Sequence, residues 1–206
     1  MCNCMSRGSS HCSGQCGNPC FSLGPFRATS TICPPANTGS IIPFSSGIIP
    51  AVLATLIDGA VGTVSAIGFG SAVPGLSLVG NTLNLPLPTG STEAFSVPRV
   101  GKITAISASF TETVGLTVLG NATIRAQVYR APAGSNTFTA TNAFVDLAPT
   151  VTGVLTAGTT YQGAANIANV PVVAGDRLVM VFSVSGEGIL AITALTGAAS
   201  AGITIS

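Results

Sequence analysis

Hydrophobic and polar positions alternate with a period of two along much of the chain after about residue 40. The clearest run is Asn121 to Tyr129: Ala122, Ile124, Ala126 and Val128 fall on one side, Thr123, Arg125, Gln127 and Tyr129 on the other. Side chains of a strand point alternately to its two faces, so this run predicts a strand with one buried and one wet side. Leu178 to Val184 is apolar at both sets of positions apart from Ser183, which predicts a central strand covered on both faces. Lys102 to Phe110 alternates more weakly. Further strands are expected near Val64–Phe69, Ala94–Val97, Phe144–Leu147, Ile189–Thr193 and Gly202–Ile205. Turn signals stand at Pro74-Gly75, Gly120-Asn121, Pro132–Asn136 and Ala174-Gly175-Asp176. One short helix is expected over Pro50 to Leu56, with Pro50 in its first turn. Many short strands without helical periods between them give an all-β class, a sandwich or a barrel. Gly-X-Y triplets run nowhere, and no longer repeat is evident.

The pattern fails before about residue 38. All six cysteines lie there: Cys2, Cys4, Cys12, Cys16, Cys20 and Cys33. The same stretch is rich in Ser, Gly and Pro and holds few large apolar residues beyond Phe21, Leu23, Phe26 and Ile32. Such a segment cannot bury a core of its own. The chain therefore divides into an N-terminal cysteine-rich arm, residues 1–38, and a β domain, residues 39–206. The spacing Cys12-x3-Cys16-x3-Cys20 lies within the range that zinc ligands use, but a disulfide framework is favoured over a metal site. His11 with Cys12, Cys16 and Cys20 formally supplies four zinc ligands, but adjacent His11 and Cys12 fit one tetrahedral ion poorly. An iron–sulfur cluster lacks both a C-x2-C pair and an apolar shield. Free thiols in a loose tail are the plain alternative. The β domain has no cysteine to offer, so arm cysteines pair with arm cysteines, and bonds between chains are favoured. Cysteine–histidine catalysis needs an orienting acid, and the arm contains none.

Charge changes the picture most. The chain has seven Lys and Arg and six Asp and Glu, 6% of its residues, with a net charge of +1. A soluble domain carries about 25% charged residues. A monomer of this size exposes roughly 9,000 Å², leaving about one charge per 700 Å². Seven scattered basic residues cannot track a phosphate backbone, so no nucleic-acid partner is expected. A hydrophobic content of 47% excludes a disordered chain. Two uncharged stretches, Ala28 to Ile57 and Gly59 to Thr92, are broken by Pro and Gly and do not read as spanning helices. The N-terminus has no apolar core of a secretory signal, and folding in the cytosol of the producing cell is expected.

Acid–base chemistry has few candidates. Glu93, Glu112, Asp58 and Asp146 are dispersed, and only their convergence in space would make a calcium site or a catalytic pair. Ala174-Gly175-Asp176-Arg177 reads as a turn in which Asp bonds its own amides, rather than a ligand loop. Asn121-Ala122-Thr123 is the sole N-x-T triplet, with Asn121 expected in a turn before a strand. No catalytic residue, metal or cofactor is assigned, and the chain is not expected to be an enzyme.

Several strings point to a family. GSIIPFSSGIIPAVLATLIDGAVGT (Gly39–Thr63), IGFGSAVPGLSLVG (Ile67–Gly80), AFSVPRVGKITAISASF (Ala94–Phe110), VPVVAGDRLVMVFS (Val170–Ser183) and SAGITI (Ser200–Ile205) together resemble the C-terminal domain of BclB-type exosporium glycoproteins of Bacillus spores. The resemblance covers about residues 39–206. It implies a jelly-roll sandwich of the tumour-necrosis-factor and C1q architecture, displayed on a spore surface and commonly trimeric. The collagen-like region that precedes the domain in that family is replaced here by the cysteine arm. The expected function is structural: a self-assembling spore-surface protein, of the exosporium or an appendage, packed through uncharged jelly-roll faces and cross-linked by arm cysteines. Its partners are copies of itself and other coat or exosporium proteins, with no membrane. The alternative is a trimeric binding head, an adhesin or receptor-binding domain.

Overall fold

In the computed structural model, the described residues are 22–23, 26–27, 39–56, 59–85, 93–187 and 194–206. The chain divides into two units, Met1–Thr38 and Gly39–Ser206. In the first, β1 (Ser22–Leu23) pairs antiparallel with β2 (Phe26–Arg27). All six cysteines and His11 lie outside the described residues.

The second unit contains β3 (Ser40–Ser45), β4 (Ala51–Thr55), β5 (Val61–Ile67), β6 (Ala72–Ser77), β7 (Thr82–Asn84) and β8 (Phe95–Ser96). It continues with β9 (Gly101–Glu112), β10 (Leu116–Ala131), β11 (Thr137–Asp146), β12 (Val151–Leu155), β13 (Thr160–Val172), β14 (Arg177–Glu187) and β15 (Ala194–Ile205). All pairings between these strands are antiparallel. One layer runs β3-β15-β9-β13 and the other β5-β14-β10-β11. Counting these eight strands along the chain, the layers read first-eighth-third-sixth and second-seventh-fourth-fifth. That order is a jelly roll. β4 pairs with both β15 and β5, so hydrogen bonding passes from one layer to the other.

The core between the layers takes the inward half of each alternation. Ile124, Ala126 and Val128 of β10 meet Phe182, Met180 and Val184 of β14, with Phe110, Ile106 and Ile103 of β9 and Ile203 and Leu195 of β15. Phe110 and Phe182 stand with ring centroids 6.3 Å apart. β14 is apolar on both sides because its outer face is covered too. Val179 and Val181 pack in a second cluster with Val64, Ala66, Tyr129 and Phe138, beneath Leu76, Leu78, Leu83 and Leu85.

Three local expectations are corrected. The helix expected over Pro50–Leu56 is strand β4. Ala51, Leu53 and Thr55 are buried while Val52 and Ala54 are half-buried, and this period of two suits a strand beside β15. Pro74-Gly75 does not reverse the chain but lies inside β6, where the pairing with β5 slips. Gly120-Asn121 lies inside β10, at a slip in its pairing with β12, so Asn121 does not precede the strand. The positive φ of Gly75 (73°) and Gly120 (102°) is spent on bulges rather than turns. The strand expected over Ile189–Thr193 falls outside the described residues.

Replacing Phe182 by Ala is expected to lower the unfolding free energy by about 3–5 kcal/mol, through lost transfer energy and a residual cavity. Thr152→Ala, on the exposed side of β12, is expected to change it by no more than about 0.5 kcal/mol. Equilibrium denaturant titration of both variants measures the difference.

Candidate functional site

The outward half of the alternation on the β3-β15-β9-β13 layer makes a continuous surface. β9 supplies Ser107, Ser109 and Thr111, β15 supplies Ala198, Ser200, Gly202 and Thr204, and β13 supplies Gln162, Ala164 and Asn166. The hydroxyls satisfy one another across strands: Ser109 with Ser200 at 2.9 Å, and Thr111 with Thr160 at 3.0 Å. Such pairs stabilise the ladder modestly and leave fewer polar atoms for water. Two shallow depressions, of about 410 and 710 Å³, lie on this surface. Ile41 at its β3 edge is 78% exposed. The flanking Pro43 lacks an N–H and blunts that edge against strand addition.

The charges lie elsewhere. Arg125 donates to both carboxylate oxygens of Asp146, at 2.7 and 2.9 Å, and its guanidinium sits 4.2 Å from the Phe144 ring centroid. This group occupies the outer face of the other layer. The Asp146 hydrogen bond raises the Arg125 pKa further, against the opposing effect of burial. At the end of the barrel where β14 starts, Asp176 accepts the amide of Val173 at 2.9 Å and lies 3.7 Å from Arg130. Arg177 donates to the Ser135 carbonyl and the Asn136 side chain. The Ala174–Arg177 segment is thus a turn closed by Asp176, with Gly175 at φ 89°.

Glu93, Glu112 and Asp146 have separate partners. Glu93 accepts the Ser71 hydroxyl at 2.7 Å. Glu112, at the end of β9 and 1% exposed, accepts the Thr196 amide at 3.2 Å. The second carboxylate oxygen of each glutamate is buried without a hydrogen bond among the described residues. Asp58 lies outside the described residues. No group of three His, Cys, Asp or Glu that could hold a metal occurs among the described residues. No helix long and apolar enough to cross a membrane occurs among the described residues.

Burial pushes the Glu112 carboxyl above its ordinary value, partly offset by the Thr196 amide. Tyr161 is raised by burial first and by the Glu112 charge second.

The small-residue surface was not singled out by the sequence reading. Its signal was present in the serines of Lys102–Phe110 and the Gly/Ala/Ser run before SAGITI, but those residues carry no reactive group to draw the eye.

No family model matches the chain. In sequence it is similar to Collagen-like protein 1 of Acanthamoeba polyphaga mimivirus, 30% identical over 178 residues. The match covers 82% of this chain and 19% of that protein, so the chain spans about a fifth of its relative's length. In structure it is similar to the Eiger TNF of S. frugiperda, at a TM-score of 0.38 and 10% identity, over 82% of this chain and 94% of that one.

The raised Glu112 pKa sets a pH dependence. An acid whose folded pKa exceeds its unfolded value resists ionisation in the native state. The resulting destabilisation is absent below the ordinary carboxylate range. It grows as pH rises towards the raised pKa and is complete above it. Glu112→Gln is therefore expected to be more stable than the native chain at neutral pH. The gap should close once the pH falls below the ordinary carboxylate pKa, as read by thermal melts across pH.

Proposed function

We propose that the protein is a structural, self-assembling subunit of a bacterial spore surface, of the exosporium or an appendage, and not an enzyme. The observation that carries this reading is the β3-β15-β9-β13 surface. Its exposed positions on β9, β13 and β15 are mostly Ser, Thr, Ala, Gly, Gln and Asn, with Ile41 and Pro43 on β3, and the two charged residues of these strands, Lys102 and the buried Glu112, sit at opposite ends of β9. A large neutral surface of small side chains, with some hydroxyls paired within it, carries no charge to dehydrate and fits closely against another copy that can bond its free amides and hydroxyls. Obligate interfaces bury about 2,000–5,000 Å² and resemble a divided core. The low overall charge fits the same picture, since so few charges suit a subunit that is covered rather than free.

Two similarities support the reading. The chain's relative is a collagen-like protein by name, and a collagen helix winds three chains together. A domain carried beside such a helix is held in threes, so a trimer is the assembly unit we propose. The resemblance to BclB-type glycoproteins supports a place on the spore surface. The cysteine arm supplies the cross-link: Cys2, Cys4, Cys12, Cys16, Cys20 and Cys33 join chains after exposure to an oxidising surface, because cytosolic thiols stay reduced.

Two measurements test this. Under denaturation without reductant, the purified material is expected to run as species far heavier than 20.3 kDa, collapsing to the monomer on reduction. A 20 kDa monomer under both conditions ends the cross-linking claim. Ala164→Glu places an unpaired charge on the proposed interface and is expected to weaken native assembly at least about tenfold, by sedimentation velocity under reducing conditions. An unchanged sedimentation coefficient moves the interface elsewhere.

A further inference from the structure

We infer that the outer face of the opposite layer carries a binding groove for a neutral saccharide. The groove, of about 550 Å³, is floored by β10 and β14 and walled by β11 and by the Leu78–Asn81 connection between β6 and β7. It lies within the roughly 300–1,000 Å³ typical of ligand sites. It goes beyond the assembly reading and does not depend on it.

The lining is polar, and much of it is unused. Ser183 and Ser185 on β14 stand beside Arg125 and Thr123 of β10 in the ladder. Neither serine side chain makes a hydrogen bond to another described residue, and the same holds for Asn142 and Asn81 on the groove walls. Tyr129 adds the most telling observation. The residue is 4% exposed and lines the groove; its hydroxyl has no hydrogen-bond partner among the described residues and is not sealed from solvent. Water, or a ligand hydroxyl in its place, is therefore its partner. By contrast, Gln127 is already engaged, donating to the Thr141 carbonyl at 2.7 Å, and serves to fix the wall.

The chemistry of the ligand follows from the charge balance. Arg125 is the groove's sole cation, and Asp146 already holds it through two hydrogen bonds. The site therefore offers hydroxyl and amide donors and acceptors without a free charge. Val61 and Leu78 add apolar contact for C–H faces. That combination suits a neutral polyhydroxylated ring better than a phosphate or a carboxylate. A peptide strand has no edge to pair with, because β10 is flanked by β11 and β14. Ser183, Ser185 and Tyr129 sit on paired strands, so they need little ordering on binding.

Saturation-transfer NMR on the full chain tests this with glucose, galactose, mannose, rhamnose and N-acetylglucosamine, each at millimolar concentration. At least one is expected to receive saturation. Ser183→Leu, which fills the groove, is expected to abolish it. Tyr129→Phe keeps the ring and the fold, and is expected to weaken binding about tenfold by removing one hydrogen bond. No transfer to any of the five overturns the proposal. Equal transfer with both variants also overturns it, by placing the sugar elsewhere. Displacement of the sugar by inorganic phosphate or glucuronate, at lower concentration than its neutral counterparts, overturns the claim of a neutral ligand. So does displacement by an uncharged Ala-Ser peptide, which assigns the groove to protein segments.

Discussion

Everything in the β domain is arranged around one strand that is dry on both sides. β14 carries Leu178, Met180, Phe182 and Val184 towards the space between the layers, and Val179 and Val181 away from it. A strand buried on both faces needs cover on both, and the second cover comes from the stretch that includes β6 and β7. The same stretch does not reach the far end of β14, where Ser183 and Ser185 replace the valines. The polar groove exists where that apolar cover stops. Its wall at Leu78–Asn81 is the edge of the cover itself.

The scarcity of charge gives the two layers different surfaces. Arg125 and Asp146 neutralise each other on one layer, Asp176 sits near Arg130 at the end of the barrel, and Glu93 and Glu112 are buried. The face of the other layer is left, over β9, β13 and β15, with hydroxyls that partly bond to each other and with mostly small neutral side chains, Ile41 standing at its β3 edge and Lys102 at its end. Covering it leaves the paired hydroxyls satisfied, while Ser107, Gln162 and Asn166, which have no side-chain partner among the described residues, need partners from the covering copy. Glu112 shows the opposite bargain. A buried carboxylate with one unbonded oxygen is tolerated at the end of β9 because the Thr196 amide supports the other.

Much of the fold was legible because alternation is a local property. Ala122, Ile124, Ala126 and Val128 are buried as their pattern requires, and the double-sided apolarity of Leu178–Val184 marks the central strand. Local punctuation was less dependable. Gly75 and Gly120 adopt the positive φ that glycine permits, but a bulge and a turn make the same demand on a single residue. Which of them forms depends on whether a partner strand continues alongside, and that is not written in the neighbouring residues. The Pro50–Leu56 segment failed for a related reason: seven residues are too few to separate a period of two from a helical turn, and pairing with β15 and β5 decided it.

The sequence by itself determined the all-β class, the inward half of each strand, the division at about residue 38 and the shortage of charge, since each is a matter of composition or of spacing along the chain. Only the tertiary structure decided that the strands interleave as a jelly roll, that Glu93, Glu112 and Asp146 go to separate places, and that small residues from β9, β13 and β15 merge into one surface. It also decided that Tyr129, Ser183 and Asn142, far apart in the chain, line one groove. The physical reason is that antiparallel pairing joins residues of large sequence separation, so which surfaces become continuous depends on the register of the whole sheet and not on any one stretch of it.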